Sequence, residues 1–421
     1  MEGKTNRLLA LEGLRGIAAV IVVLFHALLI FFPSFYYGPS QYIDGLHSFH
    51  FEDNLYANPF SIFLSGPFAV AIFFVISGFV LTVGFFQTKD QMIIKKLAMK
   101  RYIRLALPAL ASILIVFLVL ATGLGVLKLN AESITQSIWL IGIWPMAPNL
   151  GDALIQGLVT IFTIGDVSYN PVLWTMKYEF AGSFLVFIVA ILFRQSKYRW
   201  ILYLALAIAF HNTWYLGFIL GMILADLYVL GYFPFSYKKK PLMILALAVG
   251  LFFGSYLYGS SQGTIYEFLK FSWLDDTMSQ MFYFSVGAAL VVIAVLTLPQ
   301  LSRIFESKFI SGLGKFTFSL YLIHMVVLFT VGAGFFLLFS SFVGYSVAAA
   351  LTIVATTPVM ILATYLFERY IDAPSIRVSG VFANWMLGLP QKEGDTAYSE
   401  HVGRAFHKGR VAGRKFSIRR K

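Results

Sequence analysis

The sequence predicts an all-α, polytopic transmembrane helix bundle of about ten helices, and three observations predict it. Of the 421 residues, 59% are hydrophobic and only 12% charged, with mean hydropathy +0.78. That balance excludes an ordinary soluble domain. Ten apolar stretches recur along the chain, and Lys and Arg gather in alternate connections between them, as cytoplasmic loops do.

The stretches fall at 8–32, 59–86, 105–127, 171–193, 200–210, 213–233, 241–259, 279–299, 316–338 and 345–367. The first follows Lys4 and Arg7 as a secretory signal would, yet it is too long for such a segment's apolar core and lacks a small-residue cleavage site, so it is read as retained. In the second, Ser77 and Gly78 suit close helix approach. The third follows the basic run KKLAMKRYIR, and the fourth carries Lys177 and Glu179. The fifth has eleven apolar residues, which cover roughly 16 Å of a hydrocarbon core about 30 Å thick. Asp226, near the end of the sixth, reads as a boundary charge, and Tyr321 and His324 lie inside the ninth. The connection 128–170 contains Trp139, Trp144, Pro145 and Pro148, which predicts interfacial or re-entrant packing rather than a separate module.

With the N-terminus inside, inner connections hold Lys89, Lys95, Lys96, Lys100, Arg101 and Arg104, then Arg194, Lys197 and Arg199, then 238–240, then Arg303 and Lys308. Outer connections hold Lys128 and Lys270 against Asp44, Glu52, Asp53, Glu132, Asp152, Asp166, Glu267, Asp275 and Asp276. Ten crossings fit this alternation and place both termini in the cytoplasm. The chain is divided into a transmembrane domain, 1–378, and a basic tail, 379–421, flexible or lying on anionic lipid. The net charge of +12 is therefore a matter of membrane flanks, not of nucleic-acid binding. Without cysteine there is no disulfide, thiolate nucleophile or Cys-based metal site, and no metal site is expected.

Ionisable groups at membrane depth are costly enough to be functional candidates. Arg15 and His26 lie eleven positions apart, about 20° in azimuth and roughly 16 Å along one helix face, a stripe suited to an elongated polar ligand. Glu12 precedes Arg15 by three residues and either neutralises it or orients it toward a phosphate or carbonyl. Arg101 and Arg104, also three apart, serve as lipid anchors or as a clamp for a diphosphate. Glu179 binds a hydroxyl, moves a proton or pairs with another helix. The depth of His324 matches that of His26, so the two imidazoles can approach across the bundle. His47, His50, His211, His401 and His407 fall in connections or the tail and read as solvated.

In order, LEGLRGIAAVIVVLFH, FFVISGFVLT, RYIR, LWTMKYEF, WYLGFILGMILA and FSLYLIH resemble the segments of the acyltransferase-3 family of integral membrane acyltransferases, over about residues 8–378. The resemblance implies a ten-helix O-acyltransferase moving an acyl group, usually acetyl, from cytoplasmic acyl-CoA to a cell-surface carbohydrate or lipid-linked glycan, in a bacterial inner membrane. It implies acyl-CoA as co-substrate, with no permanently bound cofactor. Arg15 and His26 match the family's essential pair, and Arg101 and Arg104 match residues linked to acyl-CoA use, to which Glu12 is added through Arg15. Trp174, Glu179, Tyr321 and His324 fall in segments expected to serve the acceptor or proton transfer. Met176, Lys177 and Tyr178 depart from the family's more acidic pattern there. The competing class is a secondary transporter or channel, with His26, Glu179 and His324 as a proton or anion path.

Overall fold

The computed structural model describes residues 2–38, 59–194, 196–233, 240–256, 265–270 and 275–390. Each of the ten apolar stretches forms a helix: α1 (Glu2–Phe31), α2 (Gly66–Thr88), α3 (Gln91–Ala121), α4 (Trp174–Phe193), α5 (Arg199–Ala209), α6 (Tyr215–Val229), α7 (Lys240–Gly254), α8 (Asp276–Thr297), α9 (Lys308–Ser340) and α10 (Tyr345–Met386). Among the described residues there is no strand. His47, His50, His401, His407, Asp44, Glu52, Asp53, Lys238 and the tail from 391 lie outside the described residues.

Among the described residues seven helices are long and apolar enough to cross a membrane, and α5, α6 and α7 are shorter. The eleven residues of α5 were expected; the fifteen of α6 and of α7, roughly 22 Å each, were not. Helix α6 stops early because Gly231 takes a left-handed φ of 84°, a conformation costly for residues with a Cβ. Helix α3 starts fourteen residues before the expected 105, because Lys, Ala, Leu, Met and Arg favour helix and the Asp90 side chain caps it by accepting from Met92 N at 2.9 Å. Helix α10 runs past 367 through a π turn at Glu368–Asp372.

Packing explains why particular small residues stand where they do. At the crossing of α2 and α6, a Cβ on Gly78 would meet Phe218 O at 2.1 Å, and one on Gly221 would meet Val75 O at 2.0 Å. The N-terminal half of α1 is held the same way: Cβ atoms on Gly13 and Gly16 would strike Phe305 O at 2.1 Å and the Leu313 side chain at 2.6 Å. Leu118, Ile188, Leu192, Ile201, Val354 and Ile361 are more than half exposed on the outside, the surface a lipid solvent requires. The chain is an integral membrane protein.

The connection after α3 folds back on the bundle. It forms helices Val126–Thr135 and Leu150–Ile155, and it is pinned by Lys128, which is a buried anchor and not the exposed outer-loop charge expected. Its ammonium donates to Leu140 O at 2.7 Å and Ile143 O at 2.9 Å and pairs with Glu132. Trp144 Nε1 donates to Tyr169 O at 2.6 Å, and Ser137 Oγ donates to Leu29 O of α1 at 2.6 Å.

Gly221→Val is expected to open the α2–α6 crossing and cost at least about 1–3 kcal/mol, read as a lower thermal midpoint in detergent. Gly312→Ala, where an added Cβ meets nothing within 4 Å, should leave that midpoint unchanged or raise it.

Candidate active site

Helices α1 and α9 bring His26 and His324 together. Their rings lie 5.0 Å apart between centroids, and His324 Nε2 stands 3.0 Å from His26 Nδ1. His324 is fully buried, whereas His26 is partly exposed. His324 Nδ1 faces Leu320 O at 3.0 Å, and His26 Nδ1 faces Val22 O at 2.9 Å. A carbonyl oxygen only accepts, so each Nδ1 carries the proton. In the neutral pair, His324 Nε2 then has a lone pair and accepts from His26 Nδ1–H, which is shared with Val22 O. Two separate contacts thus assign one tautomer to His26, with its free lone pair on Nε2.

Trp139, from the folded-back connection, packs on His26 with centroids 5.2 Å apart, and Phe25 meets the same ring edge-on at 5.3 Å. The sequence predicts interfacial or re-entrant packing for the connection that carries Trp139, without naming its partner. The tie from Ser137 to α1 brings that loop over the histidine, and no local pattern announces such a contact.

A second cluster joins α2, α3 and α4. Arg101 Nη2 donates to the Glu179 carboxylate and to Glu179 O at 3.2 Å, while Ser77 Oγ donates to Glu179 Oε1 at 3.0 Å. Of the alternatives open for Glu179, pairing with another helix is the one observed. Ser77, set aside as a packing residue, holds that carboxylate, and its neighbour Gly78 does the packing. Arg104 pairs with Asp372 of α10 and donates to Ser375 Oγ at 3.2 Å, and Ser319 Oγ of α9 donates to Asp372 at 3.3 Å. The two guanidiniums therefore diverge to carboxylates on different helices and do not form one clamp. Asp372 sits in the π turn of α10, an element that re-aims side chains within a helix, and it carried no signal in the sequence.

Tyr321 links the clusters. Its hydroxyl donates to Val172 O at 2.7 Å and lies 3.1 Å from Thr175 Oγ1, one turn before Glu179, and its ring lies 6.0 Å from that of His324. Trp174 packs instead on Tyr178 and Trp214, with centroids 5.9 and 5.5 Å away, in an aromatic group with Phe74. Arg15 Nη1 lies 3.4 Å from both Glu12 carboxylate oxygens, and both side chains are about one-quarter exposed. Asp226 is wholly buried, not a boundary charge: Arg199 Nε donates to it at 2.7 Å and Arg194 Nε lies at 3.6 Å.

A family model described as an acyltransferase domain, that of acyltransferase-3, matches residues 8–367. The chain belongs to that family. Among its relatives are an O-acetyltransferase of Phomopsis amygdali, PaAT-1, 26% identical over 88% of this chain and 83% of that protein, and acyltransferase R4 of a Phoma species, 22% identical over 73% and 78%. Acyltransferase clz18 of Cochliobolus lunatus is 23% identical over the same shares as R4. No solved structure matches. The protein is thus a membrane O-acyltransferase. All three of these relatives are fungal, whereas the resemblance pointed to a bacterial inner membrane.

The Arg101–Glu179 pair, each side chain 15% exposed, predicts strong coupling. Arg101→Ala or Glu179→Ala should each cost about 2–3 kcal/mol, somewhat less than the cost of breaking a fully buried pair. The double variant should be less destabilised than the sum of the two, as measured by thermal unfolding in one lipid nanodisc composition.

Proposed function

We propose that the protein transfers an acyl group, acetyl, from acyl-CoA to a hydroxyl of a carbohydrate or lipid-linked glycan, with His26 as the general base. The observation that carries this reading is the hydrogen bond from His26 Nδ1 to His324 Nε2, which leaves the outer nitrogen of His26 unprotonated. His26 Nε2 takes the proton of the acceptor hydroxyl as its oxygen attacks the thioester carbonyl carbon. The C–S bond then breaks, the acyl–oxygen bond is complete, and the proton passes from His26 to the departing CoA sulfur. Direct transfer needs no acyl-histidine, and atoms and charge balance without one.

His324 is a positioning residue in this scheme. As His26 takes the proton, its Nδ1–H becomes a stronger donor toward His324 Nε2 and Val22 O, which stabilises the imidazolium formed. Arg15 lies eleven residues from His26 on α1, about 16 Å along the axis. It therefore serves the donor away from the reacting carbon and does not bind the oxyanion. Glu12 fixes its fork. Glu179, held by Arg101 and Ser77, and Tyr321 line the side of the acceptor, and Trp139 offers an aromatic face for a sugar ring. Both chain ends belong at the cytoplasmic face, where acyl-CoA is met. An O-acetyltransferase among the relatives supports acetyl as the group moved.

The test is transfer from radiolabelled acetyl-CoA to candidate glycans by the full chain in nanodiscs. His26→Ala should lower transfer by about 10²–10⁴-fold, the contribution of a general base. His324→Leu should lower kcat by at least tenfold, and His324→Gln, whose amide oxygen can accept from His26 Nδ1–H, should recover most of it. Full activity in His26→Ala would overturn the assignment, and uptake of a solute without transfer would favour the transporter.

A further inference from the structure

Arg101 and Arg104 are both committed to carboxylates, so a polyanion approaching the basic end of the bundle must find its counter-charge elsewhere. A cavity of about 410 Å³ opens there, lined by Phe85, Lys89, Gln91, Ile191, Arg194 and Arg199. It lies where α2 ends, α3 begins, α4 ends and α5 begins. Three cations, Lys89, Arg194 and Arg199, line it, and the buried Asp226 behind the two arginines brings the local net charge to +2. Asp90 stands beside it, with its side chain engaged in capping α3.

The arrangement of Asp226 decides which donors remain. It meets both arginines through Nε, at 2.7 Å from Arg199 and 3.6 Å from Arg194. The terminal guanidinium nitrogens are thereby left as the donors for a ligand, apart from a 3.4 Å contact of Arg199 Nη1 with Ser196 O. Each guanidinium also rests on an aromatic ring, Arg194 on Phe86 at 5.3 Å and Arg199 on Trp200 at 5.0 Å. Such stacking and pairing fix the forks before anything binds, which favours bidentate recognition of a tetrahedral anion. Lys89 adds a point charge on the αL residue that closes α2, φ 60°.

We propose that this cavity is a binding site for a phosphate group, and it rests on the acyltransferase reading only in naming the first of two sources. One is the nucleotide end of the acyl donor. Ser77, which holds Glu179 on the side proposed for the acceptor, lies eight residues before Phe85 on α2, about 12 Å along the helix, so the cavity and that cluster share one helix. The other source is an anionic lipid headgroup.

Binding is measured without turnover, so a chain that transfers nothing still reports on the cavity. The full chain in phosphatidylcholine nanodiscs is titrated with radiolabelled adenosine 3′,5′-bisphosphate, and phosphatidylglycerol retained from mixed-lipid nanodiscs is counted by mass spectrometry. Lys89→Gln is an exposed change that should leave the thermal midpoint unaltered, and Arg194→Gln leaves Asp226 paired with Arg199, so it should fold with a midpoint lowered by less than that of Arg101→Ala. At least tenfold weaker nucleotide binding in both variants, with His26→Ala unchanged, identifies the donor as source. Loss of retained phosphatidylglycerol with nucleotide binding intact identifies the lipid. If folded variants match the wild type in both measurements, the proposal is overturned.

Discussion

The chemistry proposed for this bundle depends on one hydrogen bond between two imidazoles. An isolated histidine at membrane depth has no fixed tautomer and gains little from being there. Two histidines on different helices, each with Nδ1 against its own helix carbonyl, leave one arrangement for the neutral pair. His324 accepts and His26 donates. The reactive lone pair is then set by the backbone geometry of α1 and α9. Much of the surrounding packing bears on that alignment. Gly13 and Gly16 let the segment leading into α9 touch α1, and the Ser137 bond draws Trp139 onto the ring.

Two interior carboxylates among the described residues, Glu179 and Asp372, are paired within the protein. Glu179 with Arg101 and Ser77, and Asp372 with Arg104 and Ser319, tie α2, α3, α4, α9 and α10 into one network. In lipid an uncompensated charge is expensive, so these pairs hold the helices at a defined spacing. His26, partly exposed and with Nε2 unengaged by the pair, differs from them in kind. That contrast between satisfied and available groups separates scaffold from reactive site.

Much of this was legible in the sequence for identifiable reasons. Each of the ten apolar runs falls on a helix, seven of which, among the described residues, are long and apolar enough to cross a membrane, because the bilayer demands continuous apolar backbone. Depth counting alone anticipated that His26 and His324 would meet. The Arg15–Glu12 contact follows from their i,i+3 spacing. Other features depend on tertiary placement that no local pattern encodes. Ser77 and Gly78 looked alike as small residues, yet only Ser77 reaches Glu179. The divergence of Arg101 and Arg104 required Asp372, which a π turn carries inward from a segment that reads as a helix end. Lys128 read as an outer-connection charge and Asp226 as a boundary charge, because composition cannot show which loop carbonyls close over one or that two arginines close over the other.

The tautomer is a property of these contacts and can be measured without any substrate. Solid-state nitrogen NMR of the histidine-labelled chain in lipid, with His324→Gln to assign the signals, reads which nitrogen of His26 is protonated. The account predicts a protonated Nδ1 and a bare Nε2. A proton on Nε2 with Nδ1 bare would contradict it.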